Sequence, residues 1–147
     1  MSAFSNPINP SKRRAGPAKD DPDATTLTLG EDFQNAPCLS VSELRELLNR
    51  ERDSKASKGE PLTEVFLKTL NHTEKFAIFK NENAIHGAKL SMQGLGISEF
   101  ERAQMLNLCC KHTDEAKALI PSLIQSTDDD NLADALMEIV NVRDTQR

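Results

Sequence analysis

At 147 residues the chain has room for one domain plus a tail, and 37% hydrophobic against 28% charged residues supports a modest core under a strongly solvated surface. With aromatics at 4%, no Trp and no Tyr, it lacks the exposed rings of a base-stacking platform, and a net charge of −5 repels a phosphate backbone. Three cysteines are too few and odd in number for a disulfide framework. No signal-peptide pattern opens the chain and no apolar run nears the ~20 residues that span a bilayer, so the expectation is a soluble protein of a reducing intracellular compartment.

Residues 1–23 hold Pro7, Pro10, Pro17 and Pro22 among Ser, Asn, Lys and Asp, with almost no apolar content. Such a segment cannot bury enough surface to offset its ordering entropy and is expected to be a disordered tail. Its basic cluster, Lys12-Arg13-Arg14, reads more readily as solvated than as a nuclear-import or phosphate-contacting element. Thr25-Thr26-Leu27-Thr28-Leu29-Gly30 alternates with period two and is rich in β-branched residues, which predicts a strand over 25–29. One strand cannot satisfy its own backbone groups, so it is expected to add to the sheet of another protein; an arm lying on the chain's own helices is the alternative.

Ser40 and Glu43 form a capping box that opens a helix over 40–57, with Val41, Leu44, Leu47 and Leu48 on one face, fraying in the charged run Arg50–Lys55. Lys58-Gly59-Glu60 reads as a linker. Pro61 then suits the first turn of a longer helix, running to about Lys80, whose apolar side carries Val65, Phe66, Leu70, Phe76, Ala77 and Phe79. Asn81 or Asn83 can cap a helix with Ala84, Ile85, Ala88 and Met92, ended by Gly94-Leu95-Gly96. Ser98 and Glu101 are a second capping box, followed by Phe100, Ala103, Leu106 and Leu108 as an apolar stripe. Thr113 can cap a short helix with Asp114 and Glu115 facing its positive end, which Pro121 stops after Ile120. Thr127 or Asp128 caps the last helix, with Leu132, Leu136, Ile139 and Val140.

Nothing in this pattern is reactive chemistry. Cys109-Cys110-Lys111-His112, with Cys38 as a distant fourth ligand, invites a zinc reading. Structural zinc sites, however, typically separate paired cysteines by two to four residues, and adjacent helix-end cysteines point about 100° apart. Packing as small hydrophobes is the better reading. Asp128-Asp129-Asp130-Asn131 lacks the alternation, the Gly and the bidentate Glu of a calcium loop, and suits a helix N-terminus. His72 and His86 have no metal partner at helical spacing, and Gly94-x-Gly96 is no phosphate loop. No catalytic residue, cofactor or metal is expected, and an enzyme is not.

The order of the elements carries a resemblance. Phe100-Glu101-x-Ala103 with Asp114-Glu-Ala-Lys-x-Leu-Ile-Pro-Ser-Leu123, Lys68-Thr69 with Phe76, Phe79 and Lys80, Ala24-x-x-Leu27-x-Leu29-Gly30-x-x-Phe33, Leu39-x-Val41-Ser42-Glu43, and Asp129-Asp130-x-Leu132 with Leu136 and Ile139 together resemble the family of the fourth subunit of eukaryotic RNA polymerase II. That subunit is the helical half of the polymerase stalk, related to the archaeal polymerase F subunit. Departures are Ile78, where the family commonly has a basic residue, and the polar run Ala88-Lys89-x-Ser91. The resemblance implies a non-catalytic subunit in the nucleus, with shuttling to the cytoplasm open. It would heterodimerise with the seventh subunit, an OB-fold protein that takes most of the contact with nascent RNA. The pair would dock on the polymerase core at the clamp base and support initiation and coupling to RNA processing, with no membrane role.

The expected fold is therefore all-α: an irregular, HRDC-like helical bundle with an N-terminal strand-forming arm that pairs with a partner protein. Residues 1–23 would be the tail, 24–60 the docking arm and first helix, and 61–147 the bundle. The expected partner-binding residues are Thr25, Thr26, Leu27, Thr28, Leu29, Phe33, Val41, Leu44, Leu47 and Leu48. The same subunit of another nuclear polymerase preserves this mechanism. A free-standing HRDC-like nucleic-acid adaptor is the alternative of a different class, but it needs a basic face, and residues 112–147 set Lys117, Arg143 and Arg147 against eight acids. With an orphan strand and an apolar first helix, the free chain is expected to be partly disordered or prone to aggregate.

Overall fold

Side chains that take up orphan backbone donors set most of the helix starts. The computed structural model describes residues 22–146, so the expectations for the tail up to residue 21, Lys12-Arg13-Arg14 included, lie outside the described residues. Seven α-helices follow one another among those residues: α1 (Val41–Lys58), α2 (Glu64–Phe76), α3 (Glu82–Leu90), α4 (Glu99–Leu108), α5 (Thr113–Leu119), α6 (Leu123–Ser126) and α7 (Asp129–Thr145). Both capping boxes are closed. Ser40 Oγ accepts from the Glu43 N–H and the Glu43 carboxylate from the Ser40 N–H; Ser98 and Glu101 make the same pair at α4. Asn81 caps α3 and Asp128 caps α7, each accepting from an N–H three residues on.

Helix ends and short helices differ from the sequence reading in several places. The charged run after Arg50 does not fray: α1 continues to Lys58 and closes on Gly59, whose φ of 68° is left-handed and suits a residue without Cβ. Pro61 lies ahead of α2, which is capped by Thr63 and stops at Phe76 rather than near Lys80. The stop has a tertiary cause. Phe79 leaves the helix direction to become fully buried, and its N–H donates to Ser42 Oγ at 3.0 Å. At α5 the cap position is His112, not Thr113, and no side chain caps it there. One-turn α6, after Pro121, has no counterpart among the sequence-predicted elements.

The core is built by α3, α4, α5, α6 and α7 around Phe79, Met92, Met105, Leu106, Ile120, Leu123, Leu132, Leu136 and Ile139, with Val140 partly buried beside it. In α4 the expected stripe holds at Ala103 and Leu106, but Phe100 is only half-buried, Leu108 is exposed and Met105 takes the deep position. Burying a side chain of this size is worth roughly 1.5–3 kcal/mol, so these nine outweigh every surface ion pair in the chain. Helices α1 and α2 form a hairpin that packs mainly on itself and meets the bundle chiefly through α3, with single bonds to Asn107 of α4 and to Phe79.

Two capping glutamates also join elements. Glu43 Oε1 pairs with Lys89 of α3 at 2.6 Å. Glu101, fully buried, has no cation; its Oε1 accepts from Ser126 Oγ of α6 at 2.7 Å, and its Oε2 from the Ser98 N–H and hydroxyl at 2.8 and 2.9 Å. Burial pushes both carboxyls upward. At Glu43 the Lys89 ammonium and the Ser40 donors outweigh it, and at Glu101 the Ser98 and Ser126 donors do, so both lie below the ordinary glutamate value of 4.5.

Candidate partner-docking surface

The arm does not run as a strand. Asp23 accepts from the Thr25 N–H through its side chain, which starts a 3₁₀ turn over Ala24–Thr26. Asp23 and Thr28 then exchange backbone bonds of 2.7 and 2.9 Å in a lone antiparallel bridge, with Leu27 left-handed at φ 56° between them. The physical reason is local. An Asp at 23 and the hydroxyls of Thr26 and Thr28, 3.0 Å apart, offer the backbone nearby partners, whereas no strand exists among the described residues for it to pair with. Gln34 completes the closure: its Oε1 accepts from the Leu29 N–H at 2.9 Å and its Nε2 donates to the Leu27 carbonyl at 2.8 Å.

The closed arm walls one side of a groove of about 460 Å³, and Phe100 at the start of α4 walls the other. Leu27 and Leu29 are half-buried in this groove, with Ala36, Pro37 and Cys38. Phe33 stands at its edge, 67% exposed. Thr25, Thr26 and Thr28 are exposed on the arm. The predicted residues of α1 are spread differently. Val41, Leu44 and Leu48 are half-buried, and the Val41 N–H is held by Asn107 Oδ1 of α4 at 2.8 Å. Leu47 is 52% exposed and lies in a separate groove of about 290 Å³ between α1 and α3. Glu43, Glu46, Arg50, Glu82, His86 and Lys89 rim this groove, with Arg50 paired to Glu82 and Lys89 to Glu43. The structure thus brings 27, 29 and 33 together and sets 47 apart.

Sequence reasoning missed two features of this surface. Phe100 was assigned to the core stripe, and a hydrophobic residue two positions after a cap gives no sign that it will face an arm some 70 residues earlier. The outer side of α2 is the second. Val65, Thr69, His72 and Phe76 share one helical face, Val65 is 74% and Phe76 62% exposed, and the His72 and Phe76 rings stack at 4.6 Å. Val65 and Phe76 belong to the expected apolar side, which α2 turns only partly inward, through Leu70 and Thr73.

The polar constellations set aside in the sequence are structural. Cys109 ends α4 in a left-handed conformation with Arg143 Nη1 3.8 Å from its sulfur, Cys110 is buried next to it, and Cys38 belongs to the arm groove. Burial pushes the thiols of Cys109 and Cys110 above their ordinary range, which leaves them protonated and unreactive at neutral pH. Asp128 serves as the α7 cap, its carboxyl held down chiefly by the Asn131 N–H, and Asp129 pairs with Lys117. Among the described residues no three of His, Cys, Asp and Glu converge on a metal-sized site, and no helix is long and apolar enough to cross a membrane.

An all-helical bundle carrying an apolar arm and a half-covered helical hairpin defines a helical packing module, with apolar side chains left exposed on the arm, α1 and α2. The family model described as "RNA polymerase Rpb4" matches residues 38–143, and the chain belongs to that family. It is 39% identical over 127 residues to DNA-directed RNA polymerase II subunit rpb4 of Schizosaccharomyces pombe, covering 84% of this chain and 93% of that one. Its likeness to the Dictyostelium discoideum rpb4 is 32% over 152 aligned positions, 92% and 97% of the two chains. Subunit 4 of Arabidopsis thaliana RNA polymerase II is 28% identical over 109 residues, 71% of this chain and 79% of the other.

Proposed function

We propose that this chain is the Rpb4-type stalk subunit of a nuclear RNA polymerase II, a non-catalytic scaffold that heterodimerises with the OB-fold seventh subunit. What carries the reading is the near full-length likeness to polymerase II subunits in organisms as distant as a yeast and a slime mould. The exposed apolar arm supports it physically. Leu27, Leu29 and Phe33 line one groove as a continuous apolar set on a largely exposed segment, the composition of an interface core rather than of a solvated loop. In this reading residues 24–60 dock the partner, with Thr25–Leu29 adding an edge to its sheet and Val41, Leu44, Leu47 and Leu48 stiffening the platform, while 61–147 is the bundle. The pair sits at the clamp base, the partner takes most of the contact with nascent RNA, and the complex supports initiation and hand-over to processing factors. Catalysis belongs to the large subunits.

The test is purification of the tagged chain from nuclear extract at moderate salt, followed by mass spectrometry. A stoichiometric OB-fold partner with polymerase II subunits, lost on joint Leu27→Asp and Leu29→Asp substitution, is the expected result. Recovery with polymerase I or III subunits instead would transfer the role to another enzyme. Recovery with RNA and no polymerase would favour the adaptor reading, which the acidic α7 face opposes.

A further inference from the structure

The arm is built to be closed when it is free. In an extended strand the carbonyl of one residue and the N–H two residues on lie along the same edge, and these are the groups a neighbouring strand would engage. In this chain those groups, the Leu27 carbonyl and the Leu29 N–H, are both held by one side-chain amide, that of Gln34. The Gln34 amide therefore stands where a partner strand would. The backbone of Thr28 is engaged as well, by Asp23 on both its N–H and its carbonyl. The chain uses the same device elsewhere. Gln146 Nε2 donates to the Ile78 carbonyl and its Oε1 accepts from the Lys80 N–H, each at 2.9 Å, covering the extended segment after α2 with the same spacing of two. There the segment carries fully buried Phe79 and is fixed; at the arm every residue from Asp23 to Thr26 is exposed.

We infer that Gln34 is a latch: its amide occupies the 27–29 edge of the free arm, blocks wrong strand pairing, and must release before that edge can add to a partner's sheet. The inference rests on the arm-docking reading above. The latch covers that edge in the free chain, where an unpaired edge would template aggregation. It also locates a strain that favours release. Leu27 sits at φ 56°, a conformation costly for a branched side chain, and would relax to an extended one on docking.

Closure makes the competent arm a fraction of the free population, and apparent affinity falls by that fraction. Losing two exposed hydrogen bonds shifts such an equilibrium by about three- to tenfold. The experiment measures association of the full chain with the purified seventh subunit by stopped flow, for the parent, Gln34→Ala, and the Leu27→Asp/Leu29→Asp pair. Amide exchange at Leu29 in the free chains is measured alongside. Gln34→Ala is expected to raise the association rate about three- to tenfold, leave dissociation unchanged, and speed Leu29 exchange by a similar factor. An unchanged or slower association with Gln34→Ala, while the double Asp variant still abolishes binding, overturns the latch and leaves the docking reading intact. Unprotected Leu29 in the parent overturns it too. Undiminished binding by the double Asp variant removes the docking reading itself, and the latch with it.

Discussion

Helices α1 and α7 are nearly equal in length, 18 and 17 residues, yet they sit in the molecule in opposite ways. Helix α7 buries Leu132, Ala135, Leu136 and Ile139 at the spacing of one helical face. Helix α1 buries a single residue, and it is Ser42. Its leucines are half-covered or exposed, and charged residues dominate its second half. Helix α7 is held by the hydrophobic effect acting within the chain. Helix α1 packs on α2 and is tied to the rest of the chain by particular polar contacts: Ser42 with Phe79, Asn107 with Val41, Arg45 with the Lys80 carbonyl, and Lys89 with Glu43. The difference teaches that the bundle's helices share one buried core, while the hairpin is placed by directed polar contacts and left apolar on the outside.

The comparison breaks most sharply at the core. Leu136→Ala should cost ~2–5 kcal/mol, lowering the urea midpoint of the whole chain, because the site is fully buried and enclosed by other helices. Leu47→Ala, on a half-exposed leucine, should move that midpoint within about 0.5 kcal/mol. If the two losses were equal, the contrast between a bundle held by buried apolar side chains and a hairpin held by polar contacts would be wrong.

Next in size is Ser42→Ala, expected to cost about 1–3 kcal/mol by leaving the buried Phe79 N–H without its acceptor. That is the cost of a core residue from a hydroxyl on the surface-facing helix, and hydrogen exchange at Phe79 should rise together with exchange along α1. A selective rise at Phe79 alone would mean that the bond does not tie the hairpin to the bundle.

The two capping glutamates sharpen the contrast electrostatically. Both carboxyls are depressed in the folded chain, so the stability they contribute is fully present above the unfolded value of about 4.5 and is lost as pH falls through the folded pKa. Thermal stability should be flat from neutral pH down to about 5 and fall below it. Glu101→Gln should flatten that acid limb without changing its salt dependence, since Glu101 is buried with serines and no cation. Glu43→Gln should flatten it and also remove a salt-sensitive component, because the Lys89 partner is partly exposed. Equal salt responses would sink the distinction.

The bundle was legible because its rules are local. Ser40 and Ser98 open capping boxes that fix two helix starts to the residue, and of the paired cap candidates before α3 and α7 the structure uses Asn81 and Asp128. What was illegible depended on distant parts of the chain. No window around Phe76 reveals that α2 must stop so that Phe79 can reach the core and Ser42 its N–H. Glu101 reads as a cap, and only α6 folding over it makes it a buried carboxylate. The arm is a different case. Its alternation is a real strand signal, but Asp23 and Gln34 satisfy its backbone more cheaply in a free chain than an absent sheet could. Of the candidate surface, Leu27, Leu29 and Phe33 were legible as an apolar set, and Phe100 was not.

The smallest expected effect tests the outer face of α2. Replacing Val65 and Phe76 together by Ser removes two large apolar side chains that are 74% and 62% exposed, so the stability of the free chain should change by no more than about 0.5 kcal/mol per site. A free-energy loss of core size would mean that this face is covered within the chain, contrary to its exposure. With stability unchanged, solubility becomes the informative readout. Two exposed apolar groups on one helical face, about three turns apart and one of them in ring contact with His72, raise self-association at high concentration. The double variant should therefore scatter less light than the parent at equal concentration, whereas Leu136→Ala should scatter more because it populates unfolded chain.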